Sequence, residues 1–140
     1  MFKHIMVPVD LAHADKLDRA LAVAGDLAAH YGAAVTYVGV TSNAPSAIAR
    51  TPEDYRDKLM ALAAAQSELY GHATAAHPVF SHDPAVDLDD TLIAARKELG
   101  ADLVVMATHL PNMADMILPG HGGELARHAQ VSVMLVRNSG

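Results

Sequence analysis

The chain has no cysteine and no tryptophan, and it holds only two phenylalanines and four tyrosines in 140 residues. Without cysteine there is no disulfide framework, no thiolate zinc site and no cysteine nucleophile, a pattern compatible with a reducing cytosol. Basic residues are also few: ten Lys and Arg stand against sixteen Asp and Glu, for a formal charge of -6. Those ten are scattered, whereas a nucleic-acid surface needs clustered cations to neutralise phosphates, so no nucleic-acid partner is expected. The acidic balance serves solubility. No apolar run reaches the roughly 20 residues of a membrane-spanning helix. Met1-Phe2-Lys3-His4 leads straight into a strand without the order of a signal peptide. The expectation is a cytoplasmic protein with no membrane partner, folded as a single domain over residues 1–140, long enough to bury roughly 68–70% of its unfolded surface.

What the sequence does have is an alternation of apolar runs and helical stripes. Residues 3–9 read as a first strand ending at Asp10, with a turn through His13. Leu17, Ala20, Leu21, Ala24, Leu27, Ala28 and Tyr31 then recur at helical spacing up to Gly32, a left-handed cap. Ala34 to Val40 is β-branched and aromatic, a second strand. After a polar loop, Thr51-Pro52-Glu53-Asp54 marks a helix start, with Thr as cap and carboxylates at the positive end of the dipole. That helix turns Tyr55, Leu59, Leu62 and Leu69 inward and stops near Gly71. Ala75 to Phe80 is a third strand, placed on an edge because His77-Pro78 interrupts it. Asp83-Pro84 opens a third helix with Leu88, Leu92, Ala95 and Leu99 inward and Gly100 after it. Residues 101–107 are a continuous apolar run, as expected of a strand covered on both faces. A loop of about 15 residues follows, long enough to be functional. A short fourth helix over 124–129 and a last strand over 132–136 complete the chain.

Strands alternating with helices imply a parallel sheet with right-handed crossovers. The economical arrangement is a five-stranded α/β sheet, flavodoxin- or Rossmann-like, in the order 3-2-1-4-5 with helices on both faces. Ligands of such sheets bind beyond the strand ends where the order reverses, here between strands 1 and 4. Asp10 and residues 107–109 therefore share one crevice, bordered by the end of strand 2 at Val40.

Three segments carry a family resemblance. Ile5-Met6-Val7-Pro8-Val9-Asp10, Ala101-Asp102-Leu103-Val104-Val105-Met106, and Arg127-His128-Ala129 with Ser132-Val133-Met134-Leu135-Val136-Arg137 resemble the universal stress protein family across essentially the whole chain. The resemblance implies a flavodoxin-like fold, adenine-nucleotide binding (ATP, ADP or AMP) in the cellular stress response, and a homodimer through the last strand, at Val133, Met134, Leu135 and Val136. His109-Leu110-Pro111-Asn112-Met113 looks closest to the branch usually called the F/G type. The nucleotide-binding members carry G-x2-G-x9-G-S/T in the fourth loop, and this chain departs from it: Leu110 and Met113 replace the first two glycines. Counted without gaps, Pro119 falls on the last glycine and Gly120 on the hydroxyl residue. A one-residue shift puts Gly120 and His121 there instead.

Phosphate binding needs backbone N–H groups that approach closely at a helix amino terminus. Gly120-His121-Gly122-Gly123, just before Glu124, supplies that pattern. Against it, Pro119 removes an N–H donor, and no Lys or Arg lies between Thr108 and Glu124. A triphosphate would rely on dipoles, histidines and a divalent ion such as Mg, so weaker triphosphate binding, or binding of a monophosphate, is expected. The candidate nucleotide-binding residues are Pro8, Val9, Asp10, Val40, Met106, Ala107, Thr108, His109, Gly120, His121 and Gly122. Asp10 is either the cap of the first helix or a ligand contact to ribose hydroxyls or to a metal-bound phosphate. His109 either donates to a phosphate or caps its loop, and Met106 also fits core packing. The nine histidines show no metal-ligand spacing, so no metal site is assigned.

No general base, arginine finger or dedicated lysine is available for phosphoryl transfer, so no catalytic residue is assigned and any ATPase or autophosphorylation is slow. An alternative of another class is a dimeric interaction module that has lost nucleotide binding. A phosphoacceptor receiver domain shares the topology, but it needs an Asp after strand 3 and a Lys after strand 5, where this chain has Ser81-His82-Asp83 and Arg137. A flavodoxin needs a hydroxyl-rich loop after strand 1, where this chain has Asp10-Leu11-Ala12-His13-Ala14.

Overall fold

The computed structural model describes residues 1–108 and 131–137. The elements are β1 (His4–Val9), a 3₁₀ turn (Leu11–Lys16), α1 (Asp18–Tyr31), β2 (Ala34–Thr41), α2 (Pro52–Tyr70), β3 (Thr74–Phe80), α3 (Pro84–Leu99), β4 (Leu103–Thr108) and β5 (Ser132–Arg137). The five strands are all parallel in the order β3-β2-β1-β4-β5, as the alternation of elements implied. β3 is an edge strand, and its Pro78 stands opposite Gly39. The expected fourth helix, over 124–129, lies outside the described residues.

Each strand divides its side chains between two cores. Ile5, Val7, Val9, Val35 and Tyr37 pack on one face with Leu21 and Ala24 of α1 and with Tyr55, Leu59 and Ala63 of α2. Met6, Val38, Val104 and Met106 pack on the other with Leu92 and Ala95 of α3. This two-sided burial is why the strands read as unbroken apolar runs. α1 stops at Gly32 and α3 at Gly100, both left-handed (φ 65° and 69°), a conformation that glycine adopts without steric cost.

Two local expectations change. The turn expected over Asp10 to His13 is a 3₁₀ segment reaching Lys16, none of whose residues is buried, so it offers no apolar stripe to read. Leu69, expected inward, is 70% exposed. The last turn of α2 docks instead through Tyr70, whose ring covers Gly25 so closely that a Cβ there would lie 2.5 Å from it.

Asp102 ties the amino ends of β1 and β4 together. Its carboxylate accepts from the backbone N–H of Lys3 (2.9 Å) and of His4 (3.1 Å), while its own N–H donates to the His4 carbonyl (2.9 Å). Burial opposes its charge, but the N–H donors of Lys3 and His4 and the nearby His4 outweigh this and hold its pKa below the ordinary carboxylate value. On the other side of His4, Nε2 lies 2.7 Å from the Thr36 hydroxyl.

At the same end of the sheet, His72 is buried, with Nε2 3.2 Å from the Tyr37 hydroxyl and Nδ1 without a partner among the described residues. Burial lowers its pKa from the ordinary 6.5. The folded state therefore favours neutral His72: the stability this gives is complete above the unfolded-chain value and is lost as pH falls through the lower folded one. Between about pH 7.5 and about pH 5.5 the wild type should lose stability with a slope from this group of at most about 1.4 kcal/mol per pH unit. Urea midpoints at the two pH values should differ less in His72→Gln. An equal difference in both proteins would remove His72 as the cause.

Candidate functional site

The order of the strands reverses between β1 and β4. β1 pairs with β2 from His4–Ala34 to Val9–Gly39, and β4 with β5 from Leu103–Ser132 to Thr108–Arg137. Between β1 and β4 the paired register covers only Ile5–Leu103 and Met6–Val104, both at the amino ends. Beyond these the two central strands carry no further registered pair among the described residues. The carboxyl side of such a switch point is where open α/β sheets take ligands.

Asp10 stands on that side, exposed, immediately after β1. One carboxylate oxygen accepts from the Ala12 N–H at 3.0 Å, and the other lies 2.8 Å from His13 Nδ1. Asp10 thus caps the 3₁₀ turn and at the same time presents a carboxylate to solvent, so the cap and ligand readings of this residue are compatible. His13 was not among the sequence candidates. Its only signal is a three-residue offset from Asp10, too common to point to anything by itself.

The end of β2 forms the next wall. Gly39 lies beneath the phenol of Tyr55, and a Cβ at Gly39 would meet the Tyr55 hydroxyl at 2.4 Å. Tyr55 occupies the first turn of α2, which is fixed by the Thr51 hydroxyl accepting from the Asp54 N–H (3.0 Å) and by Pro52 at the first helical position. The Phe80 ring meets Tyr55 edge-on, with centroids 6.1 Å apart. Burial, and secondarily the Asp10 carboxylate, push the Tyr55 hydroxyl up to about 12, so it keeps its proton at neutral pH and can donate a hydrogen bond. The loop before α2 is folded on itself: the Ser46 hydroxyl accepts from the N–H groups of Ile48 and Ala49, and Lys58 donates to the Ile48 carbonyl. Sequence reading took Tyr55 as a packing residue only. Its relation to Gly39 and Asp10 joins three separate segments and has no local signature.

Of the sequence candidates, Pro8 and Val9 come from β1 and Asp10 from just after it, Val40 from β2 and Met106, Ala107 and Thr108 from β4, all at the same end of the sheet. Val9 is buried and Pro8 and Val40 are half-buried. Met106 packs its side chain against the α3 face, so a ligand would meet its main chain. His109, Gly120, His121 and Gly122 lie outside the described residues. At the opposite end of the sheet is a shallow groove lined by Lys3, Gly32, Tyr70, Gly71, His72 and several alanines, remote from all of these.

A five-stranded parallel sheet in this order, with an acidic side chain at the switch point, defines a flavodoxin-like α/β fold. Residues 1–137 match the sequence model of the Universal stress protein family, and the chain belongs to that family. Solved structures share the fold. A universal stress protein family protein from Burkholderia pseudomallei is 24% identical with a TM-score of 0.68, over 96% of this chain and 95% of its own. A universal stress protein in complex with cAMP is 21% identical with a TM-score of 0.72, over 99% and 98%. One from Archaeoglobus fulgidus, in complex with dAMP, is 18% identical with a TM-score of 0.66, over 96% and 97%. Among the described residues, no helix is long and apolar enough to cross a membrane.

Proposed function

We propose that this protein binds an adenine mononucleotide in the crevice between β1 and β4, as a non-catalytic binding protein of the cytoplasmic stress response and a member of the F/G-type branch. The observation that carries the reading is the exposed Asp10 carboxylate at the switch point, beside the phenol that roofs the end of β2. In this reading the main chain around Val40 meets the base and Asp10 accepts from ribose hydroxyls. Thr108, His109, Gly120, His121 and Gly122 meet the phosphate. The solved relatives in complex with cAMP and dAMP support the ligand class. A monophosphate is favoured over ATP with Mg, because the segment from Thr108 to Glu124 has no Lys or Arg and Pro119 lacks an N–H.

Native mass spectrometry and calorimetry with AMP, ADP and ATP, with and without magnesium, test this. The expected result is saturable binding, tighter for AMP than for ATP, and weaker in Asp10→Ala by roughly tenfold, the loss of one charge-assisted hydrogen bond. A protein indifferent to all three nucleotides would overturn the proposal and leave an interaction module.

The same proposal includes a homodimer through β5. β5 is an edge strand, and an apolar edge is a template for pairing. Val136 is buried in the core and Val133 packs against the α3 side, so the surface on offer is Met134 and Leu135, 40% and 46% exposed. Leu135→Lys should shift sedimentation equilibrium toward monomer by at least about tenfold in dimer dissociation constant, since a charge buried at an interface is disfavoured. An unchanged dimer would place the interface elsewhere.

A further inference from the structure

The Tyr55 hydroxyl makes no hydrogen bond among the described residues, although the residue is only 5% exposed. Its oxygen is not one of the described buried side-chain atoms that lack a partner, so it keeps contact with solvent at the tip of an otherwise buried ring and is open to a ligand atom. Its ring leaves it little freedom to turn away. One side lies over Gly39, the Phe80 ring meets it edge-on, and its Cα belongs to a capped first turn. The hydroxyl is therefore held over Gly39, whose partner in β1 is Val9, the residue before Asp10, and it feels the Asp10 carboxylate.

The two groups are chemically complementary toward one kind of ligand atom. An alcohol oxygen donates one hydrogen bond and accepts others, while a carboxylate can only accept. Asp10 satisfies the donating half of an alcohol and leaves the accepting half open. Each Asp10 oxygen already takes one contact, from Ala12 or His13, and keeps acceptor capacity for a second. A neutral O–H held beside the carboxylate supplies the missing half.

We infer that Tyr55 is a ligand-contacting residue whose hydroxyl donates to the sugar hydroxyl that Asp10 accepts from, so that the pair selects ligands carrying a free sugar alcohol. This rests on the mononucleotide reading above and adds to it a residue and a selectivity. Gly39 belongs to the same device, because a side chain there would displace the phenol from its place.

The test uses calorimetry of the full chain and of Tyr55→Phe with two ligands, AMP and 2′,3′-dideoxy-AMP, which has the same base and phosphate but no sugar hydroxyl. Tyr55→Phe keeps the ring and its contact with Phe80, and the hydroxyl has no hydrogen-bond partner among the described residues, so the melting temperature should be close to unchanged. AMP should bind the variant roughly five- to tenfold more weakly, the effect of one hydrogen bond, while dideoxy-AMP binds both proteins alike. Equal weakening of both ligands would make Tyr55 a packing residue only and overturn the inference. AMP binding that is the same in both proteins would also overturn it, leaving the mononucleotide reading intact. A wild type that binds neither ligand would remove both.

Discussion

Asp102→Ala is expected to destabilise the protein by about 2–3 kcal/mol, the effect of losing charge-assisted hydrogen bonds to two backbone N–H groups with partial solvent compensation. The size follows from where the contact lies. β1 and β4 are the central strands, yet their registered pairing is confined to two residue pairs, immediately above the point where Asp102 holds Lys3 and His4. Removing the carboxylate leaves the His4 N–H without that acceptor at a half-buried position and loosens the amino-end junction of β1 and β4. Asp102→Asn keeps one acceptor oxygen and should cost less. The contact also predicts a pH effect. A carboxyl whose folded pKa is depressed contributes stability that is present above its unfolded value and lost as pH falls through the folded one. The difference between wild type and Asp102→Ala should accordingly be full at neutral pH and shrink below about pH 4. A urea-denaturation difference under about 0.5 kcal/mol at neutral pH, the ordinary scatter of surface substitutions, would mean that the strand pair holds without this clip.

Most of the architecture was legible because it rests on signals that are local in the sequence. The unbroken apolar runs of β1 and β4, the helical stripe from Leu17 to Tyr31, the Thr51-Pro52 start and the glycines at 32, 71 and 100 each state their element within a few residues. Pro78 placed β3 on an edge, and alternation of elements then fixed the strand order. The failures share the opposite property. Leu69 has helical spacing with Leu59 and Leu62, but whether it is covered depends on Tyr70 finding Gly25 in another helix. The 3₁₀ segment after Asp10 buries nothing and so leaves no pattern. The site divides in the same way. Asp10, Val40 and residues 106–108 could be named as candidates because strand ends at a switch point are a topological position. Tyr55, Gly39 and His13 acquire their relation to Asp10 only through tertiary packing and the fold of one turn.

Gly39→Ala should lose about 2 kcal/mol of stability, although replacing a glycine inside a strand ordinarily gains about 0.5–1 kcal/mol. The backbone of β2 is not the obstacle, since Gly39 lies in a regular strand paired on both sides, with Val9 and with Pro78. The obstacle is the phenol above it. A new Cβ would stand 2.4 Å from the Tyr55 hydroxyl oxygen and 3.1 Å from each of two ring carbons. Surface tyrosines swing away from such a contact, but this one is buried, faces Phe80 and rises from the first turn of α2. Relief requires α2 to move at its amino end or the ring to leave its rotamer, and overpacking of that kind typically costs about 1–3 kcal/mol. The atom responsible can be identified by a second substitution. In Gly39→Ala with Tyr55→Phe, the oxygen at 2.4 Å is gone and the remaining contacts of 3.1 Å need only a small adjustment. The double variant should therefore be more stable than Gly39→Ala alone by about 1 kcal/mol, even though Tyr55→Phe by itself changes stability little, a non-additivity expected only of groups in contact. Denaturation of the four proteins of this cycle decides the matter. A neutral or stabilising Gly39→Ala, or a double variant equal to the sum of its parts, would mean that the phenol moves freely and that the end of β2 is not shaped by it.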